Sequence, residues 1–441
     1  MLGWRYDWLT QPEVAGEPNS ASIRVFYYAN WDWQRERPSC HKASHRRPAL
    51  LYFNGGPGQS SHADVDIIHE FLDASARLVF MDQRGTGCSS PYPPPGDKDQ
   101  IERLTNWGAD AIVRDAQAIR GAVLGNDPWD KVLGVSYGSI IAHRYLADAP
   151  QGVREVHAAL YPGSVEAQTA LQETASFQQQ QWLQLQTRFG NTDAQRMRER
   201  WQEIAAQTRT SDDCLEGTVH RLCGAWFLHA YHTNIEKLRT VLISDLTTLR
   251  GSVMLEAAAL DRMIDFLAIS GLSETSHARA ALMRLERRLR FVDRHANALA
   301  WLVLMHIDAN AELLPHLQAQ HTTDQRTVDT TQGPSALAYY ASLQPVLEDI
   351  DHAAITALPA EPRSWDTLKA ALREENRLFL YAGALDGVAP PTIFQPEVDA
   401  LKGTPGFHYQ VWPGVAHDLP QADSPDGNEL RQRLTGRDSA P

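Results

Sequence analysis

The sequence predicts an α/β fold: one mostly parallel central sheet flanked by helices, interrupted by a large helical insertion. Three observations predict it. Short apolar runs alternate with amphipathic stretches up to residue 160, helical periodicity alone fills the region from about Pro162 to Arg363, and the sheet signature returns after Arg377. The expected division is a core of residues 1–161 and 364–441 with an inserted helical cap of residues 162–363. A chain of 441 residues is longer than one minimal domain, so one core with a large insertion accommodates it. With 12 Trp, 13 Tyr and 12 Phe it carries far more aromatic surface than a solvated, disordered chain would.

Residues 22–29 (SIRVFYYA) and 49–53 (ALLYF) are short and rich in aromatic and aliphatic side chains, so they read as strands, separated by a polar loop holding Arg35, Arg37, Lys42, Arg46 and Arg47. Arg77 to Met81 reads as a buried strand, Trp107 to Leu124 as an amphipathic helix, Lys131 to Val135 as a strand, Tyr137 to Asp148 as a helix, and 155–160 as a further strand. In the insertion, Leu171 to Thr187, Asp193 to Thr208, Met254 to Ile269 and His277 to Leu304 have helical character. Arg377 to Tyr381 and Gly406 to Trp412 supply the last two strands.

Charge and cysteine usage exclude several classes. The net charge of −13 repels phosphate backbones and anionic lipid, so neither nucleic acid nor a membrane surface is an expected partner. Cys40, Cys88, Cys214 and Cys223 form no CxxC pair and are too few for a disulfide framework, which fits a reducing compartment. Met1 to Asp7 lacks the basic start and apolar stretch of a signal peptide, and the longest apolar run, Ala298 to Met305, ends at His306 and Asp308, far short of a membrane span. A cytoplasmic location is expected.

Chemistry concentrates in a few motifs. Gly134-Val135-Ser136-Tyr137-Gly138 is a G-x-S-x-G sequence, expected by chance only ~0.1 times in a chain this long, and it sits between a predicted strand and a predicted helix. That is the setting of a nucleophile elbow, a strained turn that exposes a serine where glycines let backbones approach. Asn54-Gly55-Gly56-Pro57-Gly58 directly follows another strand and can bring backbone donors close to a developing oxyanion. The expected donors are the N–H groups of Gly56 and Tyr137. A serine hydroxyl needs a base, and the base needs an acid, in the chain order Ser, Asp or Glu, His. His417 lies just beyond the last strand, whereas His143 is seven residues along the helix that follows the serine, about 10 Å away along its axis. Asp386 ends the strand from Arg377 and is the expected acid, with Glu166 as its alternative. His69-Glu70 is followed by Asp73 where a zinc-protease helix would need His, so no metal site is expected. Asp82 and Arg84, charged residues ending a buried strand, must be paired and are expected to brace the elbow and the glycine-rich loop.

Taken together, Asn54 to Gly58, Asp82-Gln83-Arg84-Gly85-Thr86-Gly87-Cys88-Ser89 and Gly134 to Ser139 resemble the proline iminopeptidase family of α/β-hydrolases, a group that includes tripeptidyl aminopeptidases. Asn54 stands where many members carry His. The resemblance implies an α/β-hydrolase fold with a helical cap, and a cofactor-free serine peptidase that removes N-terminal residues, often proline, from short peptides. It also implies that cap carboxylates bind the substrate's free amine; Glu203, Glu256 and Asp308 are candidates, with Asp265 and Glu348 besides. The same catalytic residues would serve an esterase or another hydrolase of a small-molecule ester, amide or C–C bond. Ser136 excludes the epoxide hydrolases and dehalogenases of this fold, which need aspartate at the elbow.

Overall fold

The computed structural model describes residues 4–34, 47–58, 60–61, 64–72, 75–93, 99–160, 176–177, 180, 294–309, 351–359, 365–373, 375–387 and 389–436. Eight strands form one sheet: β1 (Arg5–Pro12), β2 (Ser22–Ala29), β3 (Ala49–Phe53), β4 (Arg77–Met81), β5 (Trp129–Val135), β6 (Val153–Ala159), β7 (Arg377–Gly383) and β8 (Phe407–Trp412). Their spatial order is β1-β2-β4-β3-β5-β6-β7-β8. The β1–β2 and β2–β4 pairs are antiparallel, and every other pair is parallel.

The central strands are apolar because both of their faces are covered. All five residues of β3 and of β4 are buried. Side chains alternate across the sheet, so Leu51 and Phe53 enter the larger core while Leu50 and Tyr52 enter the smaller one. Helices α1 (Val65–Leu72) and α9 (Pro425–Thr435) close the smaller core; α3 (Ala109–Leu124) and α4 (Tyr137–Asp148) close the larger. The short α2 (Gln100–Leu104) precedes α3, and α6 (His352–Thr356), α7 (Trp365–Ala371) and α8 (Gln395–Leu401) lie in the C-terminal part.

Strand ends shift by a residue or two from expectation, as in β5, β6, β7 and β8, and two elements differ more. β1 was not expected: it is a sheet edge, half-exposed along most of its length, with Tyr6 and Trp8 packing around Phe26 on one face and Leu9 against the larger core on the other. The helix expected from Trp107 is split. A single 3-10 turn (Thr105–Trp107) is followed by an extended Gly108 at φ −77 and ψ −168, and α3 begins only at Ala109.

Of the expected insertion, α5 (Arg294–Ala309) and α6 are described. Leu299, Leu302, Val303 and Ile307 of α5 are buried in the larger core together with Leu104 and Trp107, so this helix is docked on the sheet's own scaffold. His306 Nε2 lies 3.2 Å from the Leu358 carbonyl, tying α5 to the turn after α6. The helices expected over Leu171 to Thr187, Asp193 to Thr208 and Met254 to Ile269 lie wholly or almost wholly outside the described residues, as does that of His277 to Leu304 before Arg294. No described helix is long and apolar enough to cross a membrane.

Candidate active site

At the carboxyl end of β5 the chain reverses sharply through Ser136, which adopts φ 55 and ψ −123, and continues directly into α4. A non-glycine residue holds such a conformation only where its surroundings impose it. Here the Ser136 N–H donates to the Ala159 carbonyl of β6 at 2.9 Å, and its carbonyl accepts from the Ser139 N–H at 2.8 Å. The flanking glycines make the turn possible. A Cβ on Gly134 would lie 2.1 Å from the Gly138 carbonyl oxygen, and one on Gly138 would lie 2.1 Å from that of Phe53.

The ends of β7 and β8 deliver the other two side chains. Ala384 N–H donates to the Trp412 carbonyl and Leu385 N–H to that of Val415, both at 2.9 Å, which interlocks the loops carrying Asp386 and His417. His417 Nδ1 is 2.8 Å from Asp386 Oδ2, and its Nε2 is 2.9 Å from Ser136 Oγ. Asp386 Oδ1 accepts the Ala389 N–H at 2.8 Å. Both the imidazole and the carboxyl are buried. Because a carboxylate only accepts, Nδ1 carries the ring proton and Nε2 is left to accept from the Ser136 hydroxyl. The structure thus brings Ser136, His417 and Asp386 together. His143 is elsewhere, with Nδ1 3.6 Å from Glu397 Oε1 between α4 and α8.

The glycine-rich loop after β3 places Gly56 at φ +118 and Gly58 at φ +95, values that a side chain disfavours. It is held from both ends by the Asp82 to Ser89 segment. Gln83 Nε2 donates to the buried Asn54 carbonyl at 2.9 Å and to its Oδ1 at 3.3 Å. Asp82 Oδ1 accepts from Ser60 Oγ at 3.0 Å and from the N–H and Oγ of Ser61 at 3.1 and 2.7 Å, while Oδ2 accepts the Cys88 N–H at 2.8 Å. The expectation for Arg84 is corrected: it braces neither elbow nor loop. Its guanidinium makes a bidentate pair with Asp115 of α3 at 2.7 and 2.9 Å and donates to the carbonyls of Pro12, Glu13 and Asn106, tying α3 to the end of β1. Gln83 was missed in the sequence. Its signal was its place between two charged residues at a buried strand end, where any polar group needs a partner. Burial and the Asp82 carboxylate push the Cys88 thiol well above its ordinary value, which disfavours the thiolate that a nucleophile needs.

Among the carboxylates considered for a substrate amine, Glu203 and Glu256, as well as Asp265 and Glu348, lie outside the described residues, and so does Glu166. Asp308 of α5 is described, and its position differs from that of a free ammonium receptor. Its Oδ2 accepts the Tyr137 hydroxyl at 2.6 Å and the Ala109 N–H at 3.0 Å, and the side chain is buried. Burial pushes its carboxyl up to about 7 against the opposing effect of those two donors. No group of three or more His, Cys, Asp or Glu among the described residues is arranged to hold a metal ion.

The sheet order, the elbow between β5 and α4, and the side chains from the ends of β7 and β8 define the architecture. Residues 48–221 match a family described as alpha/beta hydrolase fold. This chain has the α/β-hydrolase fold. Within that fold it is similar to the proline iminopeptidase of Aeromonas sobria, 36% identical over 118 residues that make up 25% of this chain and 27% of that protein. The proline iminopeptidase aneH of Aspergillus aculeatus is 34% identical over 121 residues, again 25% of this chain and 27% of that protein. The chain therefore spans about a quarter of the length of the curated relatives it matches. Among solved structures, the proline iminopeptidase of Mycobacterium smegmatis aligns over 98% of this chain and 97% of that one at 14% identity, with a TM-score of 0.41, too loose a superposition to bear on function.

Proposed function

We propose that this α/β-hydrolase is a serine aminopeptidase of the prolyl type, releasing N-terminal residues from short peptides. The observation that carries the reading is the unbroken line from Asp386 through His417 to Ser136, at 2.8 and 2.9 Å, ending on a serine held in a strained turn. Ser136 Oγ attacks the carbonyl carbon of the first peptide bond while His417 Nε2 takes its proton, and Asp386 stabilises the imidazolium that forms. The negative oxygen of the tetrahedral intermediate is received by the N–H groups of Gly56 and Tyr137. His417 returns the proton to the departing amine, the C–N bond breaks, and an acyl-enzyme remains. Water, deprotonated by the same imidazole, hydrolyses that ester and regenerates Ser136.

Similarity to proline iminopeptidases over a quarter of the chain supports the peptide and proline preference. An aminopeptidase must also neutralise the substrate ammonium as it is buried, and the insertion is where Glu203 and Glu256 are available for that task. The test is a rate panel of proline, alanine and tripeptide N-terminal amides beside simple esters, each amide free and N-acetylated. Acetylation removes the charge, so kcat/KM on the best amide should fall by about two orders of magnitude, the equivalent of ~3 kcal/mol. Equal rates on blocked and free amides, or faster turnover of uncharged esters, would replace the aminopeptidase with a general esterase on the same machinery.

A further inference from the structure

Helix α5, from the insertion, reaches the elbow through one side chain. Asp308 Oδ2 accepts from the hydroxyl of Tyr137, the residue that follows Ser136, and from the first N–H of α3. These contacts join residues 171 and 199 positions apart. Gly108 makes the approach possible, because a Cβ there would lie 2.8 Å from Oδ2 and 3.0 Å from Oδ1. The carboxylate therefore supplies the cap that the α3 start lacks from its own Gly108. The phenol of Tyr137 is fully buried and serves as a lever fixed at its far end.

We propose that Asp308 is a positioning residue for the oxyanion site: by gripping the Tyr137 phenol and the amino end of α3 together, it fixes the start of α4 and hence the aim of the Tyr137 N–H. The inference rests on the serine-hydrolase reading above, in which that N–H receives the oxyanion. Two features of the site support it. The strained Ser136 must be held by its neighbours, and a tether on the next residue is the shortest way to hold it. The junction is also buried: among the described residues, the charged and titratable groups facing Asp308 include Tyr137 and Arg144 of α4, Asp110 of α3, and Tyr92. Arg144 draws the carboxyl toward its charged form, while burial and Asp110 oppose it. A substrate ammonium approaching Oδ2 would have to compete with the two internal donors that this oxygen already serves.

The experiment compares the full-length wild type with Tyr137→Phe, Asp308→Asn and the double variant, measuring thermal unfolding together with kcat and KM on prolyl p-nitroanilide and p-nitrophenyl acetate. Each single change should lower kcat about tenfold on both substrates with KM within twofold, a fraction of the hundredfold or more that losing an oxyanion donor outright costs. The double should fall no further than the worse single, because both changes break one tether. Folded variants with unchanged kcat, or losses that multiply in the double, would overturn the proposal. A rise in KM at constant kcat for Asp308→Asn would do so too, by showing that Asp308 acts on substrate. Should Asp308→Asn not fold, Tyr137→Phe decides alone, since it removes a single hydroxyl. Ser136→Ala is assayed in parallel. If it stays active the serine reading itself fails, whereas an inactive Ser136→Ala beside a fully active Tyr137→Phe sinks only this inference.

Discussion

Asp386 and Asp308 are the same side chain in the same kind of place, buried and hydrogen-bonded beside the elbow, but they face different partners. Asp386, at the end of β7, faces an imidazole: His417 Nδ1 at 2.8 Å, with the Ala389 amide on its other oxygen. Asp308, on α5, faces a phenol and a backbone amide. An imidazole takes up a proton near neutral pH and becomes a cation that the adjacent carboxylate stabilises. A buried phenol does neither, and burial beside Asp308 holds the Tyr137 hydroxyl well above its ordinary value. On the proposed reading, the neighbour and not the burial separates a carboxylate placed to support proton transfer from one placed to hold geometry.

The sharpest way to break this comparison is to neutralise each aspartate in turn. Asp386→Asn should leave His417 in the wrong tautomer and its cation unsupported, with kcat down on the order of 10⁴ and little change in melting temperature. A small loss there with a large one in Glu166→Gln would move the acid to the segment after β6. Next in size comes the loop that faces the elbow. Gln83→Leu removes the donor that holds both oxygens of Asn54, and kcat should drop about tenfold because Gly56 loses its fixed aim. Measured rates within twofold of wild type would show that the Ser60 and Ser61 contacts to Asp82 suffice.

The smallest effect is on stability. The Asp308 carboxyl is pushed up to about 7 from an unfolded value near 3.8, so between those values the native state binds more protons than the unfolded state. Its contribution to stability is therefore greatest below the unfolded value and is lost as pH rises through about 7. Denaturant unfolding at pH 5 and pH 8 should show wild type losing more stability across that interval than Asp308→Asn does. An identical pH slope in the two proteins would mean that Asp308 titrates as it does in the unfolded chain.

The sheet was legible where one physical signal dominates. Buried parallel strands such as ALLYF and RLVFM are uniformly apolar, and helix α4 runs from Tyr137 to Asp148 as its sequence pattern suggests. Ser136, Asp386 and His417 could be singled out because each follows a strand, and a parallel sheet gathers the carboxyl ends of its strands along one edge. β1 escaped because an edge strand is only partly buried, and its apolar residues Tyr6, Trp8 and Leu9 stand among the polar Arg5, Asp7, Thr10 and Gln11. The partners of Arg84 and Asp308 had no local signature. A guanidinium meeting Asp115 across 31 residues, or a carboxylate meeting Tyr137 across 171, leaves no periodicity in the chain. Gly108 was the nearest clue, a glycine that breaks a helical run where a distant side chain comes close.

The central claim is that Ser136 is a nucleophile activated by His417. Its most direct measurement is covalent labelling with a fluorophosphonate, followed by peptide mapping in wild type, Ser136→Ala and His417→Ala. One adduct per chain, on Ser136, is expected in wild type, with none in Ser136→Ala and labelling slowed by several orders of magnitude in His417→Ala. An adduct on another residue, or labelling of Ser136 at an undiminished rate without His417, would contradict the account.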